Sequence, residues 1–236
     1  MLLRPDGTNL AFHCNYGNTP GVIFFPGLKS DMAGLKAKSL ELSCLAKGRS
    51  FIRFDYFGHG KSDGNFQDGT IGRWTEDAIA VLDEIAVGPQ ILVGSSMGGW
   101  IMLLAALARQ DKVKALLGIA AAPDFTESIW TNANKEVKHD LQNDGFFLQS
   151  SPYDTEATPI SLNLIKEARA HLVLKKSIPI TCPVRLLHGM EDSDVPWQLS
   201  LKLAKRLEST DVTIKLLKDG DHRLSSKKQI TLLIET

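Results

Sequence analysis

The sequence predicts an α/β domain built on a mostly parallel, doubly wound sheet. Short apolar runs alternate along the chain with longer segments in which apolar residues recur at helical spacing. The chain has 236 residues, of which 43% are hydrophobic, and this is enough to bury the core of one domain. We therefore expect residues 1–236 to form a single domain with helices on both faces of its sheet.

The apolar runs predict the strands of this sheet. The first is a half-buried edge strand in which every second residue is apolar, at Leu10, Phe12, Cys14 and Tyr16. Later runs are mostly apolar throughout, as is typical of parallel strands that are buried on both faces. They occupy residues 21–25, 51–54, 90–93, 113–119 and 184–187, and an alternating run follows at residues 212–216.

Segments with helical spacing fill the intervals between these runs. One helix is predicted at residues 35–46, where Gly48 suits a left-handed end, and another begins at the N-cap residue Thr70. Further helices are predicted at residues 197–207 and at the end of the chain.

One interval is too long for a single crossover between strands. We interpret residues 124–178 as a small cap that is inserted into the domain. Within this insertion, residues 124–140 and 160–174 have helical character, and residues 144–147 form a turn that leads into a short extended piece.

A sharp turn from a strand into a helix presents Ser96. The turn has the sequence Gly94-Ser95-Ser96-Met97-Gly98, between an apolar run and a helix-like segment. Small residues are needed on both sides of a serine in such a turn, because a Cβ there would clash with neighbouring backbone. Ser96 is therefore a candidate nucleophile, although a serine at this place can also act only as a helix cap.

Acyl transfer by a serine requires a histidine that accepts its proton and a carboxylate that orients this histidine. His222 follows the last predicted strand in a turn-rich loop and is the candidate base. Asp192 follows the preceding strand, at the sheet edge where ligands usually bind, and Asp194 is its nearest alternative. His188 lies just before the same loop, and we expect it to support that loop through hydrogen bonds.

Charge that develops on a substrate oxygen needs fixed hydrogen-bond donors. We expect backbone N–H groups in this role at Met97, directly after Ser96, and at Leu28, which follows Pro26-Gly27. An ordinary Pro-Gly turn would also explain the second position. Nucleophile, base and donors are all protein groups, so the expected chemistry requires no metal ion and no cofactor.

Taken together, these motifs resemble the α/β-hydrolase superfamily over nearly the whole chain. The family pattern His-Gly-x-x-Asp-x-x-Val-Pro aligns the catalytic acid with Asp192, and Pro26 replaces the usual histidine before the oxyanion donor. The segments that carry the resemblance are Phe25-Pro26-Gly27-Leu28, Asp55-Tyr56-Phe57-Gly58-His59-Gly60-Lys61-Ser62, Gly94 to Gly98, His188-Gly189 to Val195-Pro196, and Asp221-His222.

A narrower resemblance points to one branch of this family. The chain is similar to the mitochondrial abhydrolase-domain palmitoyl-protein thioesterases, a branch also associated with acyl-glucuronide hydrolysis. The segments concerned are Ile52-Arg53-Phe54-Asp55-Tyr56, Arg185-Leu186-Leu187-His188-Gly189-Met190, Val195-Pro196-Trp197 and Asp221-His222-Arg223. The resemblance implies a capped serine esterase or thioesterase.

The predicted function is hydrolysis of carboxylic esters or thioesters through an acyl-enzyme on Ser96. Two alternatives stay open: the same fold acting on amide, peptide or carbon–carbon bonds, and a binding protein that has lost activity. Trp130 in the cap is a candidate for lining an acyl pocket, and packing of the cap onto the body explains it equally well.

Composition favours a small or neutral ligand, and the motifs above make this ligand an acyl substrate. The 27 Lys and Arg residues balance 27 Asp and Glu residues, which gives no electrostatic reason to expect nucleic acid or an anionic membrane. The apolar runs fall short of the roughly 20 residues that a membrane-spanning helix needs. No secretory signal is visible, and a cytoplasmic location is the expectation. The oligomeric state is not predicted.

Overall fold

A seven-stranded sheet forms the centre of the protein, as described by a computed structural model for residues 1–152 and 156–236. The strands are β1 (Leu2–Leu3), β2 (Asn9–Leu10), β3 (Phe12–Asn15), β4 (Asn18–Phe25), β5 (Arg49–Phe54), β6 (Gln90–Ser95), β7 (Val113–Ile119), β8 (Phe146–Gln149), β9 (Thr158–Ser161), β10 (Val184–Gly189) and β11 (Val212–Leu217). The helices are α1 (Leu35–Ala46), α2 (Ile71–Ala80), α3 (Met97–Ala108), α4 (Phe125–Asn132), α5 (Lys135–Asn143), α6 (Leu162–Ala168), α7 (Gln198–Arg206) and α8 (Lys227–Glu235).

The large sheet is parallel except at one edge. Its strand order is β11-β10-β7-β6-β4-β5-β3, and only the edge strand β3 pairs with its neighbour in the antiparallel direction. This confirms the predicted α/β class with a mostly parallel sheet. The carboxyl ends of β4, β6, β10 and β11 lie at one edge of the sheet, so the loops that follow these strands meet there.

The helices begin and end where local sequence signals place them. Helix α1 covers the predicted residues 35–46, and Gly48 follows with a φ of 64°, in the left-handed region. Thr70 caps α2, since its hydroxyl accepts a hydrogen bond from the Arg73 N–H at 3.2 Å. A π-helical turn at Val81–Ile85 extends α2. Within the described residues, no helix is both long and apolar enough to cross a bilayer.

The chain between β7 and β10 forms an inserted segment with its own elements. Strands β8 and β9 pair as a separate antiparallel hairpin, and α4, α5 and α6 surround them in sequence. The helix expected at residues 124–140 is divided into α4 and α5, because Asn134 caps a new helix by accepting from the Val137 N–H. Ile160 lies in β9 rather than in a helix, since Ser161 is the N-cap of α6. Residues 153–155 of the predicted insertion lie outside the described residues.

Asp124 closes the base of the inserted segment. Its two carboxylate oxygens accept hydrogen bonds from the N–H groups of Val173 and Leu174 at 2.9 and 3.0 Å. The residue itself has a φ of 60°, a left-handed conformation that aspartate tolerates better than most side chains. One side chain thus joins the two ends of a segment that is about 50 residues long.

We expect Asp124→Ala to lower the free energy of unfolding by about 2–4 kcal/mol, because two backbone N–H groups lose their acceptor and alanine fits the left-handed region poorly. Urea unfolding followed by circular dichroism measures this loss. Asp124→Asn keeps one acceptor oxygen and should lose less than half as much. A loss below about 0.5 kcal/mol in the alanine variant would contradict the assigned role.

Candidate active site

Ser96 lies at the turn between β6 and α3 with a φ of 54°. A non-glycine residue in this region is strained, and such strain persists only where the surroundings hold the backbone firmly. The surroundings here are very close: a Cβ on Gly98 would overlap the carbonyl oxygens of Phe25 and Pro26, and one on Gly94 would overlap the backbone of Gly98. The two glycines therefore allow the turn that exposes the Ser96 hydroxyl.

The loops after β6, β10 and β11 bring Ser96, Asp192 and His222 together. His222 Nε2 lies 3.0 Å from Ser96 Oγ, although the two residues are 126 positions apart in sequence. The other ring nitrogen, Nδ1, lies 2.7 Å from Asp192 Oδ2. With its proton on Nδ1 and donated to the carboxylate, the ring presents the lone pair of Nε2 to the serine hydroxyl.

Asp192 is held as a carboxylate in a buried position. Its Oδ1 accepts hydrogen bonds from the N–H groups of Asp194 and Val195 at 2.9 and 2.8 Å. Burial raises the pKa of Asp192, but hydrogen bonds from His188 and His222 outweigh this effect and hold the pKa well below its usual range. The negative charge that orients His222 is therefore present throughout the neutral pH range.

His188 supports the loop that carries Asp192. The ring is fully buried, and its Nε2 lies 3.1 Å from Asp192 Oδ2 and 3.0 Å from the Val195 carbonyl oxygen. A proton on Nε2 can serve both acceptors, while Nδ1 accepts from the Ser200 hydroxyl at 2.7 Å. The expected role of His188 in supporting this loop agrees with these contacts.

Asp194 has a different environment from Asp192. It is exposed, and its Oδ2 accepts a hydrogen bond from the Ser151 hydroxyl at 2.9 Å. The structure thus brings the carboxylate of Asp192 to His222 and leaves that of Asp194 at the surface.

Leu28, Ser96 and Met97 line one cavity. Met97 is the first residue of α3, where N–H groups have no acceptor within the helix. The loop that carries Leu28 passes very close to the serine, since a Cβ on Gly27 would lie 3.4 Å from Ser96 Cβ. The two backbone positions expected to bind an oxyanion are therefore neighbours of the Ser96 hydroxyl.

The cavity above Ser96 has a volume of about 710 Å³, within the range of roughly 300–1,000 Å³ that is usual for small-molecule sites. Helix α4 contributes one wall through residues spaced three or four positions apart, which all face the same side: Phe125, Ser128, Ile129 and Asn132. Further apolar side chains come from β9 and from the loop and helix after β10: Ile160, Val195, Pro196 and Leu199.

Trp130 is not part of this wall among the described residues. It lies on the other side of α4, where the cations of Arg169 and Lys138 lie over its ring at 5.3 and 5.7 Å from the centroid. The sequence-based choice of Trp130 as a lining residue differs from the structure, because the helical rotation turns its neighbour Ile129 toward the cavity instead. The four-residue spacing of Phe125 and Ile129 indicates that their side chains share one face of α4. The spacing does not tell whether that face meets a cavity or the body of the protein.

Lys36 at the end of the cavity near His222 was also missed. Its Nζ donates a hydrogen bond to the Arg223 carbonyl oxygen at 2.6 Å, which joins α1 to the loop that carries His222. Burial and, to a lesser extent, the nearby Arg223 together lower the pKa of Lys36 to about 8. Nothing in the sequence connects two residues that are 187 positions apart.

Comparison with known proteins identifies close relatives. The chain is 49% identical to the mitochondrial palmitoyl-protein thioesterase ABHD10 of Mus musculus over 237 aligned residues, which cover all of this chain and 80% of the relative. Its identity to the protein of the same name from Homo sapiens is 46%, with all of this chain and 78% of the relative covered. The predicted resemblance to this branch is thus confirmed. These relatives are named as mitochondrial, so the expectation of a cytoplasmic location is wrong.

Solved structures and a family model lead to the same group. The structure of the mouse protein superposes with a TM-score of 0.93 over 99% of this chain and 94% of the other. A protein from Agrobacterium vitis S4, described as a putative hydrolase, also gives a TM-score of 0.93 at 39% identity, covering 98% of this chain and 93% of the other. Residues 20–159 match the model of the α/β-hydrolase fold family. The chain therefore belongs to the α/β-hydrolase family.

Proposed function

We propose that this protein is a serine hydrolase that removes long acyl chains from thioesters, including S-acylated cysteines of proteins. The observation that carries the proposal is the continuous hydrogen-bonded path from Ser96 through His222 to Asp192, with distances of 3.0 and 2.7 Å. This path opens into the cavity with an apolar wall. A hydroxyl made nucleophilic beside an apolar pocket suits attack on the carbonyl carbon of an acyl chain.

The reaction has two halves. Ser96 Oγ attacks the acyl carbon while His222 Nε2 takes the hydroxyl proton, and the Leu28 and Met97 N–H groups bind the tetrahedral oxyanion. Collapse breaks the bond from carbon to sulfur, and the proton on His222 passes to the leaving thiolate. A water molecule then repeats the attack on the acyl-enzyme, His222 takes and returns a proton, and the fatty acid leaves with Ser96 restored.

The choice of a long acyl chain rests on the cavity and on the relatives. Apolar side chains from α4, β9 and α7 line the same cavity as Ser96, at the carboxyl end of β6. Relatives that match the whole chain at 46–49% identity are named as palmitoyl-protein thioesterases. We interpret residues 124–178 as the cap that builds this pocket, and we place the protein in mitochondria by the same relationship.

Two other functions predict different results with matched substrates. The matched substrates are an ester, a thioester and an amide that share one acyl group. An amidase would hydrolyse the amide as readily as the ester and the thioester, and a carbon–carbon hydrolase would in addition cleave a matched ketone. A binding protein without activity would turn over none of them and would not react with a fluorophosphonate. We expect thioester and ester hydrolysis well above amide hydrolysis, because a thiolate or an alkoxide leaves more readily than an amine.

Ser96→Ala should lower kcat for a p-nitrophenyl ester and for an acyl thioester by about 10⁶-fold, since the nucleophile is lost. It should also abolish labelling by a fluorophosphonate, while the circular dichroism spectrum stays that of the wild type. Ser43→Ala on α1, away from the cavity, is the matched control and should keep both activity and labelling. Unchanged turnover in the Ser96 variant would refute the proposal.

Asp192→Asn should lower kcat by about 10⁴-fold with little change in KM, because His222 loses the charge that fixes its tautomer. Asp194→Asn changes an exposed carboxylate at the cavity wall that accepts from Ser151, and the loss of activity should stay below about tenfold. Steady-state kinetics on one ester substrate compares the two. Equal losses of kcat, or a larger loss for the Asp194 variant, would contradict the assignment of Asp192 as the acid.

Ile129→Trp should shift the preference of the enzyme toward shorter acyl chains, because a larger side chain fills part of the cavity beneath α4. Trp130→Ala should leave the preference unchanged, since Trp130 packs against Arg169 on the other side of the helix. The measurement is kcat/KM for p-nitrophenyl esters of increasing chain length. A shift caused by Trp130→Ala and not by Ile129→Trp would contradict the assigned wall.

A further inference from the structure

The segment from Asp55 to Ser62 is part of the family resemblance, yet none of its residues takes part in the chemistry above. It lies after β5 and packs against the loop between β4 and α1, which carries Leu28. We call residues 26–34 the oxyanion loop and residues 55–62 the glycine-histidine segment. Two hydrogen bonds join them: N–H groups of the oxyanion loop donate to the side chains of Asp55 and His59.

The oxyanion loop contains a turn with an unusual central residue. Ser30 N–H donates to the Gly27 carbonyl oxygen at 3.1 Å, so Leu28 and Lys29 are the two middle residues of a β-turn. Lys29 has a φ of 54°, which glycine or asparagine normally provides at this position. A lysine at this position favours a type I turn, in which the peptide between Leu28 and Lys29 is rotated by about 180°. The observed orientation therefore needs a contact that holds the N–H of this peptide.

His59 supplies that contact. Its Nε2 accepts a hydrogen bond from the Lys29 N–H at 3.2 Å, and its Nδ1 lies 3.1 Å from the Phe57 carbonyl oxygen. The two contacts require the tautomer with the proton on Nδ1, because only a nitrogen without a proton can accept. Burial lowers the pKa of His59 to about 4, so the ring is neutral and keeps its lone pair at neutral pH.

The position of the His59 ring is fixed on all sides. Tyr56, Phe66 and Trp74 contact it edge to face, with centroid distances of 5.6, 5.1 and 5.2 Å. Gly58 and Gly60 flank it with φ values of 72° and 51°. A ring held in this way is 3% exposed and can hold a peptide of the oxyanion loop in one orientation.

Asp55 forms the second connection between the two segments. Its Oδ1 accepts from the Met32 N–H at 2.6 Å, and its Oδ2 accepts from the Lys61 N–H at 2.9 Å. A Cβ on Gly60 would overlap this carboxylate, so the glycine permits the contact. Asp55 thus fixes the far end of the oxyanion loop, while His59 fixes the peptide next to Leu28.

We propose that His59 is a positioning residue for hydrolysis: as a neutral acceptor for the Lys29 N–H, it holds the Leu28 N–H where the oxyanion forms. The inference rests on the proposed function, because it takes Leu28 as an oxyanion donor. The reaction gains from this arrangement only where negative charge develops, so the contribution of His59 lies in kcat and in the binding of tetrahedral adducts.

Asparagine and glutamine at position 59 separate the two ring contacts. In His59→Asn the amide reaches the place of Nδ1 and can still donate to the Phe57 oxygen, but it leaves Lys29 without an acceptor. In His59→Gln the amide oxygen reaches the place of Nε2 and can accept from Lys29. The two variants differ by one methylene, and both replace the aromatic ring.

We expect His59→Asn to lower kcat for a p-nitrophenyl ester by roughly 10- to 100-fold with KM nearly unchanged, less than the roughly 10²–10³-fold that complete loss of one oxyanion donor costs. Inhibition by a boronic acid, which forms a tetrahedral adduct on the serine, should weaken by the same factor. His59→Gln should stay within about fivefold of the wild type in both measurements. Equal losses in the two variants, or losses confined to KM, would overturn the inference.

A measurement on the wild-type protein tests the inference independently of how the variants fold. In a ¹⁵N spectrum of histidine-labelled protein at neutral pH, His59 should show the tautomer with the proton on Nδ1. The opposite tautomer would overturn the proposed contact. The proposed function would fail on a different result, namely that Ser96→Ala remains active. If Ser96→Ala is inactive but His59→Asn and His59→Gln lose activity equally, only the role of His59 is refuted.

Discussion

The close approach of α3 to the end of β4 is the constraint on which the candidate site depends. Gly98 lies so near the carbonyl groups of Phe25 and Pro26 that no side chain would fit between them. This contact places Ser96, at the start of the helix, directly beside the oxyanion loop. It also holds the serine at a positive φ, since the backbone on both sides has no room to relax. The proposed nucleophile and the proposed oxyanion donors are therefore positioned by one packing contact.

Asp192, at the other end of the site, keeps its negative charge through hydrogen bonds and not through close packing. A buried carboxylate is unfavourable unless donors surround it, and Asp192 receives two backbone N–H groups in addition to His188 and His222. The donors come from its own loop, from the end of β10 and from the loop after β11, so the position of the charge depends on the sheet and not on the inserted segment. The wall from α4 can thus vary in shape without disturbing Asp192 or His222.

The sequence predicts features that depend on local patterns, and it does not predict those that depend on long-range packing. Residues 35–46 and 113–119 are located correctly by their apolar pattern and by Gly48, because burial and chain termination act locally. Ser96 is identifiable for the same reason, since glycine spacing is a local requirement of the turn. The break between α4 and α5 was missed because the cap at Asn134 lies within a continuous helical pattern. The rotation of α4 and the contact from Lys36 to Arg223 depend on long-range packing, which no local pattern records.

The contact from His59 to the oxyanion loop suggests why Pro26 can stand where this family usually has histidine. In this chain a side chain from outside the loop, His59, receives the Lys29 N–H and fixes the turn that contains Leu28. Asp55 fixes Met32, so the loop is held at two points by a segment that follows β5 and is hydrogen-bonded to α2 through Phe57. A loop held from outside needs no polar side chain of its own at residue 26 to keep its peptides in place. The proline there restricts the backbone further, which favours a preorganised site over a flexible one.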